Sequence, residues 1–268
     1  PTALERAARA LAAPLADGPL RSAAARLLES ALNVGTAGRG VKCRLPDGEI
    51  VRVLPKYRST SWNLDEYRAF RRALAPGATV LDVGANIGGY AMLFGQWVGP
   101  HGRVYAFEPA PAIHAALERH VALNDLRGIV VPVAAAASEV TGRAGFVTTG
   151  VHGISRLSAA GEPPSSLVVN TITIDEFCDR ESVRPGLIKI DVEGAELAAL
   201  RGMRDIVRAC RNDLALFVEL HPGLWPVIGV TRELVEIELS SLGLRIEPPA
   251  AGGDPWSLEG VALRLRPV

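Results

Sequence analysis

Apolar and polar positions follow two different rhythms along this chain. Over residues 1–33, Leu4, Leu11 and Leu15, then Leu20, Ala24, Leu27, Leu28 and Leu32, recur at helical spacing among Arg and Glu. Pro14 and Asp17-Gly18-Pro19 divide this stretch into two predicted helices. Val41–Pro46 and Glu49–Leu54 flank Asp47-Gly48, a hairpin signal. A helix is predicted over Leu64–Leu74, with Asn63 as its N-cap and Pro76-Gly77 at its end. From Thr79 onward, short continuous apolar runs alternate with amphipathic ones. Thr79–Val83, Arg103–Phe107, Ile129–Ala137, Leu187–Asp191 and Leu214–Leu220 are predicted strands. Tyr90–Val98, Pro111–Asn124, Ala195–Leu200 and Thr231–Leu242 are predicted helices. Such alternation implies an α/β fold with parallel pairing through right-handed crossovers. Arg143–Thr148 is a further strand, Gly150–Pro164 an exposed loop, and Thr171–Phe177 a strand-to-helix piece. Leu244–Glu247 and Ser257–Leu265 close the chain as an antiparallel hairpin.

Composition narrows the function classes. The 268 residues carry 29 Lys+Arg against 29 Asp+Glu. That balance argues against a non-specific nucleic-acid binder, which needs a basic surplus. Hydrophobic residues at 48% and charged residues at 22% make a globular chain of one or two domains. Cys43, Cys178 and Cys210 are widely spaced and form no CxxC pair, so they are expected as thiols rather than a disulfide framework. The longest apolar run, Ile129–Ala137, spans nine residues and contains Pro132, whereas a membrane-spanning helix needs about 20. Glu5, Arg6, Arg9, Asp17 and Arg21 interrupt the Ala-rich N-terminus, so no signal-peptide apolar region forms. The expectation is a soluble cytoplasmic protein with no membrane or nucleic-acid partner.

The informative chemistry lies in Val80-Leu81-Asp82-Val83-Gly84-Ala85-Asn86-Ile87-Gly88-Gly89-Tyr90. A strand ends in an acid, turns through glycines and opens a helix. Glycines there let backbone approach a nucleotide closely. A dinucleotide fingerprint requires G-x-G-x-x-G, but this chain has G-x-N-x-G-G, with Asn86 able to take the left-handed backbone angles of a glycine. Asp82 would repel a pyrophosphate, so a cofactor with a cationic sulfonium fits better. Glu108, 24 residues after Gly84, follows the second strand and suits the two ribose hydroxyls of an adenosine.

The D-x-G-x-N-x-G pattern resembles motif I of class I S-adenosylmethionine (SAM) methyltransferases. Leu81–Tyr90, Phe107-Glu108-Pro109, Ala135–Ser138, Thr173–Phe177, Ile188–Glu196 and Phe217–Pro222 occur in the order seen in the FkbM family of these enzymes. The resemblance covers roughly residues 60–225, and its most specific block is Ile188-Lys189-Ile190-Asp191-Val192-Glu193-Gly194-Ala195-Glu196. It implies a Rossmann-like sheet of seven strands, order 3-2-1-4-5-7-6, with the last strand antiparallel. It implies O-methylation of hydroxyls of sugars, polyketides and other natural products. Carried over by position, Asp82, Gly84, Asn86 and Gly88 would line the methionine end of SAM, and Glu108 would hold the ribose. Ala136 to Ser138 would flank the adenine, Glu66 would reach the amino group, and Asp191 would lie near the transferred methyl.

A hydroxyl acceptor needs a base or a bound cation. Asp191, Glu193, Glu219 and His221 fall at the ends of two strands expected to be adjacent. Asp191 has an alternative as a helix N-cap, and Glu193 as a helix-dipole partner. For Glu196 the dipole role is the expected one. His221 has an unperturbed pKa suited to proton removal, or is a hydrogen-bonded loop histidine. His101, His114, His120 and His152 are expected at the surface. Asp191, Glu219 and His221 also suit Mg²⁺ or another divalent ion, but the expectation is that no metal is required and EDTA leaves activity unchanged. Tyr57, Trp62, Ser155 and Arg156 are candidate substrate contacts, with ordinary packing the alternative for Trp62. Residues 1–59 form a cap or an oligomerisation extension, with a homodimer one outcome, and residues 60–268 the catalytic domain. The competing readings are an N-methyltransferase of an amine or peptide, and a SAM-binding module without transfer activity.

Overall fold

A computed structural model describes residues 19–45, 47–58, 62–148, 155–158, 167–248, 252–258 and 260–268. The first predicted helix and Pro46 lie outside them. The chain divides into two compact units, residues 1–61 and 62–268.

In the first unit, helix α1 spans Pro19–Gly35. Strands β1 (Val41–Arg44) and β2 (Ile50–Val53) pair antiparallel, Val41 opposite Val53 and Arg44 opposite Ile50. The Asp47-Gly48 turn is the predicted one, and Gly48 N donates to the Leu45 carbonyl at 3.0 Å. A 3-10 turn follows at Pro55–Tyr57.

The second unit opens with α2 (Leu64–Ala73), where the Asn63 side chain accepts from the Asp65 and Glu66 amides as predicted. Then come β3 (Thr79–Val83), α3 (Gly89–Val98), β4 (Arg103–Phe107), α4 (Pro111–Leu123), β5 (Val130–Val133), β6 (Ala136–Ala137), β7 (Gly142–Thr148), β8 (Ser155–Leu157) and β9 (Leu167–Ile172). The chain continues with α5 (Ile174–Glu181), β10 (Leu187–Ile190), α6 (Glu196–Arg201), α7 (Arg204–Cys210), β11 (Ala215–Glu219), α8 (Arg232–Ser241), β12 (Leu244–Ile246) and β13 (Ala262–Pro267). The main sheet has the order β5-β4-β3-β10-β11-β13-β12. Only β13 runs against its neighbours β11 and β12. This is the expected 3-2-1-4-5-7-6 arrangement with a reversed last strand.

β3, β10 and β11 are apolar on both faces because helices cover both, which is why they read as continuous apolar runs. One face packs Leu81, Val83, Ile188, Ile190 and Val218 into the main core. The other carries an aromatic cluster in which Phe70 meets Phe217 at 4.8 Å and Tyr90 at 5.0 Å between ring centroids. Two charged side chains interrupt this interior, Asp82 on β3 and Lys189 on β10. Strand order reverses between β3 and β10, so a crevice opens at their C-terminal ends.

Three elements depart from the sequence pattern. The run Ile129–Ala137 is not one strand. The Val133 carbonyl accepts from both Glu108 N and Ala135 N, which turns the chain after β5. β6 then joins a second sheet of order β6-β9-β7-β8, in which β7 is the predicted Arg143–Thr148 strand while β8 and most of β9 were not marked. β8 falls within the predicted Gly150–Pro164 loop, of which all but residues 155–158 lies outside the described residues. Helix α7 was also not marked. Its cap comes from afar: the Asp175 carboxylate accepts from the Asp205 and Ile206 amides at 3.1 and 2.8 Å. Among the described residues, no helix is long and apolar enough to cross a membrane. The three cysteines are free thiols, with Cys178 and Cys210 buried.

Candidate active site

The turn after β3 admits no ordinary side chain at its first position. Gly84 has φ +83°, and a Cβ there would lie 1.7 Å from the Asp191 carbonyl oxygen. The turn is therefore in backbone contact with the end of β10. Asn86 has φ +51°, and its Oδ1 accepts from Ile87 N at 2.8 Å, so it takes a glycine-like conformation as anticipated. His120 corrects one expectation. It is fully buried rather than at the surface, and its Nδ1 lies 2.7 Å from the Ile87 carbonyl, tying α4 to the turn. Burial lowers its pKa, which keeps the ring neutral.

A cleft opens beside the turn, lined among others by Gly84, Asn86, Glu108, Ala136, Asp191 and Glu193. Glu108 follows β4, and its Oε1 accepts from Ala110 N at 2.8 Å. Burial pushes its carboxyl up to about 7. Asp82 is fully buried, and neither of its oxygens has a hydrogen-bond partner. Burial pushes its carboxyl up to about 6, with Lys189 pulling the other way and Asp191 adding to the rise.

Lys189 stands opposite Asp82 in the β3–β10 register. Its Nζ donates to Asp191 Oδ2 at 3.0 Å and lies 3.9 Å from Asp82 Oδ1. Burial disfavours the ammonium, but the Asp191 and Asp82 carboxylates outweigh it and raise the pKa. Lys189 thus stays charged and holds two acids at the strand ends. A lone lysine within the apolar block Ile188-Lys189-Ile190 is the sequence signal that would have found it.

His221 lies just beyond β11. Its Nε2 is 3.5 Å from Glu219 Oε1, 3.7 Å from Glu193 Oε2 and 3.9 Å from Asp191 Oδ1. Its Nδ1 is 2.8 Å from Glu196 Oε1. Burial draws the imidazole pKa down, but hydrogen bonding to Glu196 and Glu219 draws it up, for a net rise to about 10. So held, the ring is charged at neutral pH rather than a ready base.

Glu196 sits in the first turn of α6, where the dipole reading expects an acid, but it is wholly buried and has partners the sequence did not show. Its Oε1 accepts from Gly194 N at 2.7 Å as well as from His221, and its Oε2 accepts from Trp225 Nε1 at 2.7 Å. Nothing local distinguishes it from a first-turn glutamate, because its partners lie 25 and 29 residues away. Asp191 is not the cap of α6 either; Ala195 holds that position.

The remaining candidates scatter. Arg156 joins Glu193 at the cleft wall. Ser155 lies in β8, paired with Thr148. Ser138 borders a separate hollow that Arg156 and Glu193 also line. Gly88 faces Leu117 of α4, whose Cδ1 would be 2.4 Å from a Cβ there. Glu66 is engaged elsewhere: one oxygen accepts from the Tyr90 hydroxyl at 2.8 Å, the other from Ala262 N at 2.6 Å. Trp62 packs edge-on to Tyr90 with centroids 5.5 Å apart. Tyr57 belongs to the 3-10 turn of the N-terminal unit.

The strand order, the glycine turn after the first sheet strand and the acid after the second define a class I SAM-dependent methyltransferase fold. The methyltransferase FkbM domain matches residues 82–241, and the chain belongs to that family. The chain is 31% identical over 163 residues to the hexuronic acid methyltransferase AglP of Haloferax volcanii, covering 60% of this chain and 62% of that protein. It is 32% identical over 163 residues to the 31-O-demethyl-FK506 methyltransferase FkbM of Streptomyces tacrolimicus, covering 49% of this chain and 62% of that protein. The chain thus spans about three-fifths of the length of these two relatives. A crystal structure of a methyltransferase FkbM from Methylobacillus flagellatus KT shares 18% identity, covers 97% of this chain and 58% of that one, and has a TM-score of 0.46.

The residues present fit the cofactor the family implies. Gly84 keeps the turn free of a Cβ, Glu108 offers a carboxylate in the cleft wall, and the buried Asp82 carboxylate, paired with Lys189, stands near the strand's end two residues before the turn. These acids suit a sulfonium and an adenosine better than a pyrophosphate.

Proposed function

We propose that this domain transfers a methyl group from SAM to a hydroxyl of a saccharide or natural-product acceptor. One observation carries the reading: Asp191 and Glu193 line the cofactor cleft and also flank His221. The cleft and the acid–imidazole cluster are therefore one site. The names of the two relatives, for a hexuronic acid and for 31-O-demethyl-FK506, support a saccharide or natural-product acceptor.

When bound, SAM supplies a methyl already activated on a sulfonium, so the residues need chiefly to position the acceptor. Glu108 would accept the ribose hydroxyls, and Asp82, Gly84 and Asn86 would border the methionine end. Asp191, held from behind by Lys189, would accept the hydrogen bond of the acceptor hydroxyl, with His221 beside it. The neighbouring carboxylates, Glu219 among them, would receive its proton. Arg156 and Glu193 would contact the acceptor from the cleft wall.

Two measurements test this. Calorimetric titration with S-adenosylhomocysteine should show at least about a tenfold loss of affinity in Asp82→Ala and in Glu108→Ala. Wild-type affinity in both would remove the cofactor assignment. Incubation with SAM and a panel of uronic acids, hexoses, macrolides and amines should methylate hydroxyl acceptors. Transfer to amines alone would replace the acceptor class, and SAM binding without any transfer would leave a binding module.

A further inference from the structure

We propose that Asp191, Glu219 and His221 hold a divalent cation, with Glu196 orienting the imidazole toward it. This deepens the methyl-transfer reading of the cleft and rests on it for its role, although not for its test. It reverses the sequence-based expectation that no metal is required.

The donor atoms of these three residues all lie within 4.8 Å of one another. Ligands about 2.1–2.6 Å from a shared ion stand roughly 3–5 Å apart, so the spacing is that of a coordination shell. Only Glu219, at 3.5 Å, comes within hydrogen-bond reach of His221 Nε2, while Glu193 and Asp191 stand 3.7 and 3.9 Å away.

The second observation lies on the opposite side of the ring. The wholly buried Glu196 carboxylate takes Nδ1 at 2.8 Å and is itself fixed by Trp225 and the Gly194 amide. Nδ1 therefore carries a proton, and Nε2, whose own proton a cation would displace, faces the carboxylates of Glu219, Glu193 and Asp191. A carboxylate that holds the far nitrogen of an imidazole is the usual support of a metal-bound histidine. Charge points the same way. Four carboxylates, those of Asp191, Glu193, Glu196 and Glu219, surround this one imidazole. The adjacent ammonium of Lys189 is already shared between Asp191 and Asp82.

Two carboxylates and one imidazole make a predominantly hard donor set, which selects Mg²⁺ or Mn²⁺ and leaves positions for water and an acceptor oxygen. A cation there would bind the acceptor hydroxyl and lower its pKa, leaving a nearby carboxylate to receive the proton.

The test is titration of EDTA-treated, dialysed protein with MnCl₂, followed by loss of the free Mn²⁺ electron paramagnetic resonance signal. No cofactor or acceptor is present. One saturable ion per chain is expected. Glu219→Gln and His221→Ala should weaken binding at least about tenfold, and Glu196→Gln by about 10–100-fold. S-adenosylhomocysteine affinity, measured in parallel, reports whether each variant is folded. A wild type that binds S-adenosylhomocysteine but no Mn²⁺ overturns the cation site and leaves the methyl-transfer reading standing. Saturable Mn²⁺ binding that survives both Glu219→Gln and His221→Ala places the ion elsewhere and also overturns it.

Discussion

Replacing Glu196 with Gln isolates the buried carboxylate from its shape. All three of its partners are donors: the Gly194 amide and the His221 ring nitrogen on Oε1, and the Trp225 indole N–H on Oε2. An amide offers one oxygen, so at least one donor must face its NH₂ group. Placing the oxygen at the Oε1 position keeps two bonds and leaves the indole N–H unpaired. A buried donor without a partner costs about 1–3 kcal/mol, and Glu196 and Trp225 are both buried. Glu196→Gln should therefore destabilise the fold by about 1–3 kcal/mol in urea or thermal unfolding. Trp225→Phe removes the offending donor. In that background the Glu→Gln change should cost less by about 1–2 kcal/mol, a positive coupling in a double-mutant cycle. Trp225 fluorescence should also shift in the single variant. Additive effects within about 0.5 kcal/mol would mean that the indole bond does not hold Glu196, and the proposed orientation of His221 would lose its support.

Two more outcomes follow from the cofactor cleft. Gly84→Ala should lower the melting temperature and weaken S-adenosylhomocysteine binding by more than about tenfold, because φ +83° costs an alanine about 1–2 kcal/mol and its Cβ would meet the Asp191 carbonyl at 1.7 Å; wild-type affinity would show that the turn is not the cofactor cradle. The Glu108 carboxyl, at about 7, is largely protonated below that pH. If the ribose is held by the ionised form, binding must release that proton at low pH. The dissociation constant should then rise as pH falls from 7, by up to about tenfold per unit, and stay flat above. Glu108→Gln should abolish the slope above about pH 6.5, where Asp82, at about 6, is still largely ionised, and a wild-type affinity constant from about pH 6 to 8 would refute the role.

The sheet and the cofactor turn were legible because their signals are local. Asp82, Gly84 and Asn86 fall within five residues, and each main strand carries its own apolar run. In the second sheet only the β7 strand was legible; its pairing was not, because β6 pairs with β9, 35 residues on, and β7 with both β8 and β9 across loops without periodicity. Helix α7 borrows its cap from Asp175, so its own start looks unmarked. The burial of His120 and the partners of Glu196 were hidden for the same reason. A glutamate at a helix start and a histidine near a helix end are ordinary surface residues until a distant carbonyl, indole or imidazole faces them. Local pattern reports which residues form an element; it carries no trace of a partner brought in by tertiary packing.

What assembles the site is register. In the β10–β11 pair Ile190 stands opposite Val218, so the next residues, Asp191 and Glu219, leave the sheet side by side. In the β3–β10 pair Lys189 stands opposite Asp82, so its ammonium lies between the first and fourth strand ends. A slip of one residue in either pair would turn these side chains to the opposite face of the sheet. The apolar residues on both sides of Lys189 resist such a slip, since Ile188 and Ile190 are fully buried. The chain's zero net charge conceals the result. Acids spaced far apart in sequence converge at neighbouring strand ends, and the repulsion among them is held by Lys189 on one side and His221 on the other. That arrangement is what the proposed cationic cofactor and the proposed second cation would meet at the cleft.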